Sequence, residues 1–298
     1  MELQKKRRWY QAVAAVAFNA YLPGFFKGGI YRGTPKGLCV PVFNCYSCPS
    51  ALGACPIGSL QNAMASVRLN LSLARRQFGL YVIGFLGVVG SAVGRLPCGW
   101  ICPFGFFQEL LFKIPSPKFG VPRVLRYFKY VFLAVLTILL PLLVLDALGG
   151  GEPWFCKWVC PAGTLEAGIP LALLNTSIRG QLGLLFAWKT AVLAGFLVWM
   201  VFVMRPFCRT TCPLGAILGL FNKISLWRMT VDEETCTLCG KCQKECPVGI
   251  SVNETPNSPD CIRCLKCEKV CPFGSIGHEF PGRKPRASAA PSPQEVHP

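Results

Sequence analysis

The chain has 298 residues, of which 52% are apolar and only 15% charged, well under the roughly 25% charged residues of a soluble globular protein. Its 31 Lys and Arg outnumber 14 Asp and Glu, giving a formal net charge of +17, and it carries 18 cysteines but only two histidines, His278 and His297. These counts exclude an ordinary soluble enzyme, a membrane haem held by paired intramembrane histidines, and a disulfide scaffold, which belongs to small secreted domains. Cysteine in a large, apolar, basic chain points to metal.

Four apolar stretches are long enough to consider as membrane spans, at about 9–26, 78–96, 127–148 and 182–204. The first follows Lys5, Lys6, Arg7 and Arg8 and is interrupted by Gln11, Asn19 and Pro23. It reads as an uncleaved anchor in preference to a signal peptide, because no clear cleavage site is followed by a soluble domain. The second is rich in Gly, which suits close helix packing in lipid. The third is the most apolar, and the fourth carries Lys189, which can snorkel to the interface.

The basic run ahead of the first span favours a cytoplasmic N terminus, and an even number of spans returns the C terminus to the same side. Between the third and fourth spans only Lys157 and Arg179 are basic, as expected of an outer loop. Lys27, Arg32, Lys36, Arg68, Arg75 and Arg76 in the first outer loop run against the rule. Membrane lipid headgroups and acidic redox partners explain the positive charge better than nucleic acid does, since it is spread over span-flanking loops and the C-terminal region.

The most specific signal lies at 236–272. Cys236-x2-Cys239-x2-Cys242-x3-Cys246-Pro is followed by Cys261-x2-Cys264-x2-Cys267-x3-Cys271-Pro. Three thiolates at this spacing wrap one corner of an iron–sulfur cubane, while the fourth of each run reaches the other cluster. The expected ligand sets are Cys236, Cys239, Cys242 and Cys271 for one [4Fe–4S] centre and Cys246, Cys261, Cys264 and Cys267 for the other. Zinc sites use two separated ligand pairs, a different pattern. The segment resembles a bacterial two-cluster ferredoxin domain.

The remaining ten cysteines sit in related loops. Three have the form Cys-x3-Cys-Pro-x-Gly, beginning at Cys98, Cys156 and Cys208, and a variant runs Cys45-x2-Cys48-x6-Cys55-Pro-Ile-Gly, with Cys39 upstream. Arg95-x2-Cys98-x3-Cys102-Pro-x-Gly repeats as Arg205-x2-Cys208-x3-Cys212-Pro-x-Gly at an offset of 110, and Cys55-Pro-Ile-Gly-Ser-Leu-Gln aligns with Cys160-Pro-Ala-Gly-Thr-Leu-Glu at an offset of 105. The chain is therefore a duplicated unit of span, cysteine loop, span, cysteine loop, and such repeats commonly build sites between their halves. Under the assigned topology Cys98, Cys102, Cys208 and Cys212 gather on the cytoplasmic side, and Cys48, Cys55, Cys156 and Cys160 on the outer side. Each set has the four thiols that a [4Fe–4S] cluster takes; disulfides on the outer side, zinc, or unligated thiols remain alternatives. Cys39 and Cys45 are left without a role.

The expected fold is thus an α-helical membrane protein. Four transmembrane helices form an internal 2+2 repeat over 1–226, a two-cluster ferredoxin-like α+β domain occupies 227–281, and a disordered tail follows at 282–298. The spans, the Cys-x3-Cys-Pro loops at 98–103 and 208–213, and the paired runs at 236–272 together resemble the NapH/MauN group of ferredoxin-type membrane proteins. They are also similar to the membrane and ferredoxin portions of NosR-like proteins. That resemblance implies a bacterial inner-membrane electron-transfer subunit of the quinol dehydrogenase type, with the ferredoxin centres cytoplasmic. Electrons would pass between the quinone pool or a cytoplasmic donor and an extracytoplasmic redox partner, a quinone or other carrier bridging inner and outer clusters. The alternative is an assembly factor that reduces a metal or disulfide, as in the CcoG/FixG group. Glu109, Glu166 and Asp146 are candidates for quinol proton handling, with solvated interfacial acids the blander reading. Trp100 and Trp158 are cluster shields or, more commonly, interfacial anchors.

Overall fold

The computed structural model describes residues 2–72, 79–146 and 150–280. The tail expected at 282–298, and Arg75 and Arg76, lie outside the described residues. Helix α1 (Glu2–Phe18) takes in the whole basic run and stops at Asn19, whose side-chain amide turns back to Ala15 O (3.0 Å) and reaches Asn44 (3.2 Å). Pro23 opens a separate turn, Pro23–Lys27, so the first expected span is not one continuous helix. After α2 (Pro56–Ser72), α3 (Leu80–Val93) has 14 residues, about 21 Å, short of the roughly 30 Å hydrocarbon thickness. Gly94 ends it at φ +50°, and a Cβ there would meet the Asn222 side chain at 2.4 Å.

Helix α4 (Pro103–Leu111) leads to α5 (Arg123–Leu143), α6 (Pro161–Leu174), α7 (Leu184–Phe202) and α8 (Pro213–Phe221). Among the described residues α5 and α7, of 21 and 19 residues, are the two helices long and apolar enough to cross a bilayer. Four helices of that length were expected; polar and glycine stops shorten the other two. Within α5, Phe132–Leu139 is wound as a π-helix, as is Thr164–Gly168 within α6. Pro141 and Pro170 follow these segments closely and lack the N–H a regular helix would donate.

Two cores result. The larger packs α3, α4, α7 and α8 around the loop cysteines and a set of phenylalanines. In the smaller, Trp227, Met229, Val248, Ile250, Val252, Ile262 and Ile276 close over the C-terminal cysteines. That part is framed by β1 (Arg228–Val231) antiparallel to β2 (Ile276–Glu279), with Arg228 opposite Glu279 and Val231 opposite Ile276. Arg263, fully buried, ties the two parts together by donating to Val93 O (2.8 Å), Asn222 O (2.9 Å) and Ser225 Oγ (2.6 Å).

One departure from the positive-inside pattern has a structural cause. Lys36 is buried, donates to Ala51 O (2.7 Å) and lies 4.8 Å above the Tyr46 ring, so it is a packing element and not a topology signal.

Candidate iron–sulfur centres

The C-terminal loops line two cavities. Cys236, Cys239, Cys242 and Cys271 border one of about 70 Å³, and Cys246, Cys261, Cys264 and Cys267 border one of about 20 Å³. The fourth cysteine of each run therefore stands with the other run, as the ferredoxin spacing requires. Leu238 and Arg263, equivalent residues 25 apart, both take left-handed backbone (φ +54° and +53°) between the first two cysteines of their runs. A non-glycine residue in that region costs about 1–2 kcal/mol, a strain that turns the chain back around the thiols.

The other cysteines occupy a recurring local device. Cys102, Cys160 and Cys212 each cap a helix whose first residue is proline, accepting at sulfur from the N–H of the glycine three residues on (3.4, 3.3 and 3.4 Å). Proline at N1 forfeits no helical bond and sets φ for the first turn, and the cap holds the sulfur at the helix N terminus. The short turns Leu96–Trp100, Trp154–Trp158 and Pro206–Thr210 carry the first cysteine of each pair.

In the set expected on the cytoplasmic side, Cys98, Cys102, Cys208 and Cys212 are all buried and near enough to act electrostatically on one another. Two fully buried arginines cross between the repeats: Arg95 donates to Cys208 O (3.0 Å), and Arg205 donates to Cys98 O. Arg205 also pairs with Glu109 (2.6 Å), which Arg7 clamps from the other side with two bonds of 2.9 and 2.7 Å. Glu109 is therefore a buried ion-pair centre and not the solvated interfacial acid expected. Burial alone would raise its pKa, but Arg205 and Arg7 win and hold the carboxyl below the ordinary carboxylate range.

For the set expected on the outer side, a cavity of about 490 Å³ is lined by Cys45, Cys55, Cys156 and Cys160. Cys45 takes the place expected for Cys48. The Cys45 N–H donates to Glu166 Oε2 (2.6 Å), from the opposite repeat, while Cys48 turns to Ser50 Oγ (3.2 Å) and is absent from the cavity wall. Cys39 is buried beside Ala54, its N–H donating to the Tyr81 hydroxyl (3.1 Å). Lys189 lines the outer cavity, and Asp146 is exposed. Trp158 stacks on Trp154, whereas Trp100 donates to Arg263 O (2.9 Å), a tie to the ferredoxin part.

Two glutamines escaped the sequence reading. Gln108 Nε2 donates to Cys208 Sγ (3.0 Å) and Gln61 Nε2 to Cys156 Sγ (3.1 Å). Each lies six residues after a Cys-Pro-x-Gly cysteine in the first repeat and reaches the first loop cysteine of the second. The offset-105 alignment already holds Gln61 opposite Glu166; what it cannot tell is whose sulfur the amide meets.

The sets also touch in sequence. A Cβ on Gly99, between Cys98 and Cys102, would lie 2.1 Å from Ile262 O, between Cys261 and Cys264. Gly99→Val is expected to push the ferredoxin part off this surface at an overpacking cost of about 1–3 kcal/mol. Limited proteolysis between 222 and 236 would read the change as faster cleavage. On the far side of the inner set, the Phe43 ring lies 5.1 Å from Phe207, 5.8 Å from Phe104 and 6.5 Å from Phe155, beside Cys156.

The donor chemistry fits iron–sulfur clusters: four thiols per set, with backbone and side-chain N–H groups aimed at sulfur. Among the described residues no three Cys, His, Asp or Glu side chains close around a single ion. The 4Fe-4S binding domain model matches residues 77–122, 131–169 and 184–230, and the 4Fe-4S dicluster domain model matches 228–272. The chain carries 4Fe-4S ferredoxin-type domains and is similar to ferredoxin-type iron–sulfur proteins such as MauN. It binds multiple [4Fe–4S] clusters.

It is 31% identical over 166 residues to the methylamine utilization ferredoxin-type protein MauN of Methylorubrum extorquens, covering 55% of this chain and 50% of MauN. The putative electron transport protein YccM of Escherichia coli is 27% identical over 210 residues, 68% of this chain and 55% of YccM. The regulatory protein NosR of Pseudomonas aeruginosa is 28% identical over 156 residues, 51% of this chain and 20% of NosR. The chain thus spans about half, or less, of these relatives. No solved structure matches it significantly.

Proposed function

We propose that this chain is a membrane electron-transfer protein in which four [4Fe–4S] centres stand in series. The order runs from Cys236/239/242/271 to Cys246/261/264/267, then to Cys98/102/208/212, and last to Cys45/55/156/160. The observation that carries this reading is the contact of each set with the next: exchanged fourth cysteines within the ferredoxin part, Gly99 against Ile262, and Phe43 between the inner and outer loops. Phe43 packs against Phe104, Phe155 and Phe207 between the last two sets, which supports direct transfer between them.

Four passes between inner and outer loops support the four-span topology. Arg7 of α1 donates to Gly99 O (3.0 Å) at the inner end, and Asn19 meets Asn44 beside Cys45 at the outer end. The chain returns through α3, leaves again in α5 and comes back in α7. Two of these helices are shorter than a bilayer, which fits cysteine sets sunk below the membrane surfaces. With both termini and the ferredoxin part cytoplasmic, electrons exchange between a cytoplasmic-side donor and a redox partner on the outer face. YccM is named an electron transport protein, in keeping with this role.

Anaerobic iron analysis with electron paramagnetic resonance during a redox titration tests it. About sixteen iron atoms per chain and four reducible centres are expected; about eight would confine the clusters to the ferredoxin part and overturn the series. In the same titration Gln108→Leu is expected to lower the potential of one centre only. The lost N–H···S bond favours the more negative, reduced cluster, and hydrogen bonds to the sulfurs are among the determinants of potential.

A further inference from the structure

A second large cavity, of about 530 Å³, lies between α1, the end of α4, the start of α5 and the ferredoxin part. Eight of its lining side chains are Arg or Lys and two are Glu, a balance of 8 − 2 = +6. Three of the cations are spoken for: Arg7 by Glu109, Arg126 by Asp260 (3.6 Å) and Lys266 by Glu245 (2.6 Å). Among the described residues Arg8, Lys113, Lys118, Arg209 and Lys244 form no ion pair with a carboxylate. Lys118 is spent on neutral acceptors, including Phe112 O and Ile114 O at 2.7 Å.

Arg209 is the telling member. It is 3% exposed, donates to Val248 O (2.8 Å) and Met204 O (3.5 Å), and its Nε has no acceptor. Asp260 acts on it only from beyond ion-pair distance, a buried cation so poorly compensated is costly, and a bound anion reduces that cost. Cys246 and Cys264 form part of the wall. A cluster there, with four thiolates, contributes about −2, which leaves the cavity near +4. Phe112, Phe119 and Met204 supply apolar wall beside the charges.

We propose that this cavity binds a phosphate-bearing anion of small-molecule size. It lies where α5 begins and α7 ends, the level of lipid headgroups in the topology above, so an anionic phospholipid headgroup is one source. A soluble phosphorylated compound is the other. The binding is independent of electron transfer, though a ligand here would sit against the second ferredoxin centre.

The full chain, with its clusters, is tested in phosphatidylcholine nanodiscs. One arm adds phosphatidylglycerol to the bilayer and measures its retention by native mass spectrometry; the other titrates pyrophosphate by calorimetry. One equivalent of phosphatidylglycerol or of pyrophosphate is expected, and the arm that succeeds names the source. The exposed double variant Lys113→Gln/Lys244→Gln is expected to weaken that binding about tenfold or more, and Arg209→Gln to weaken it further. If Arg209→Gln does not fold, the double variant alone decides. Absence of binding in both arms, or equal binding by the double variant, overturns the site. Iron content enters neither arm, so failure here leaves the electron-transfer reading standing.

Discussion

Cys45→Ala is expected to lower iron content by about four atoms of sixteen, whereas Cys48→Ala leaves it unchanged. The two cysteines are three residues apart in one turn, the Cys48 N–H donating to Cys45 O (3.2 Å). Only Cys45 borders the cavity with Cys55, Cys156 and Cys160, its backbone held there by Glu166. The Cys48 sulfur lies against Ser50 Oγ. Loss of four irons from Cys48→Ala with retention in Cys45→Ala would return the outer set to the pairing expected from spacing. Equal loss in both would mean that the turn is needed as a whole. Iron and acid-labile sulfide assays on anaerobically purified variants provide the readout.

Arg205→Met is expected to destabilise the protein by about 3–5 kcal/mol, the usual cost of leaving a buried charge partner uncompensated. Three things fail together. Glu109 keeps only Arg7, the carbonyl of Cys98 loses its donor, and a left-handed backbone position (φ +50°) loses the contacts that stabilise it. Arg205→Lys retains the charge but not the fork that reaches both Glu109 and Cys98 O, and an intermediate loss is expected. The same centre sets an acid limit. Glu109 is held below its unfolded value, so the pair's contribution is complete above the ordinary glutamate pKa of about 4.3 and fades as pH falls through the depressed one. Thermal unfolding in detergent at neutral pH measures the first effect, and an unfolding series down to acid pH measures the second.

What could be read from sequence was whatever depends on near neighbours. The ferredoxin ligand sets follow from three-residue spacing, because a loop that short can wrap only one cluster corner. The duplication was visible from Arg95 and Arg205 at equal distances from their cysteines. Hydropathy found the apolar stretches but not where helices stop, since Asn19 is held by Asn44 and the Arg95 N–H just past Gly94 donates to Asn222. The choice of Cys45 over Cys48 hangs on Glu166, more than a hundred residues away, and the sulfur contacts of Gln61 and Gln108 cross between repeats. Glu109 read as a surface acid because its two arginine partners, Arg7 and Arg205, approach from opposite ends of the chain.

The crossed arginines bear on how such a chain arose. Arg95 completes the Cys208 loop and Arg205 the Cys98 loop, so neither half satisfies its own buried backbone. Two copies of one half would satisfy both, each lending its arginine to the other across a two-fold axis. The two halves of this chain make that exchange within one molecule, and they are no longer identical: Glu166 stands where Gln61 stands in its counterpart.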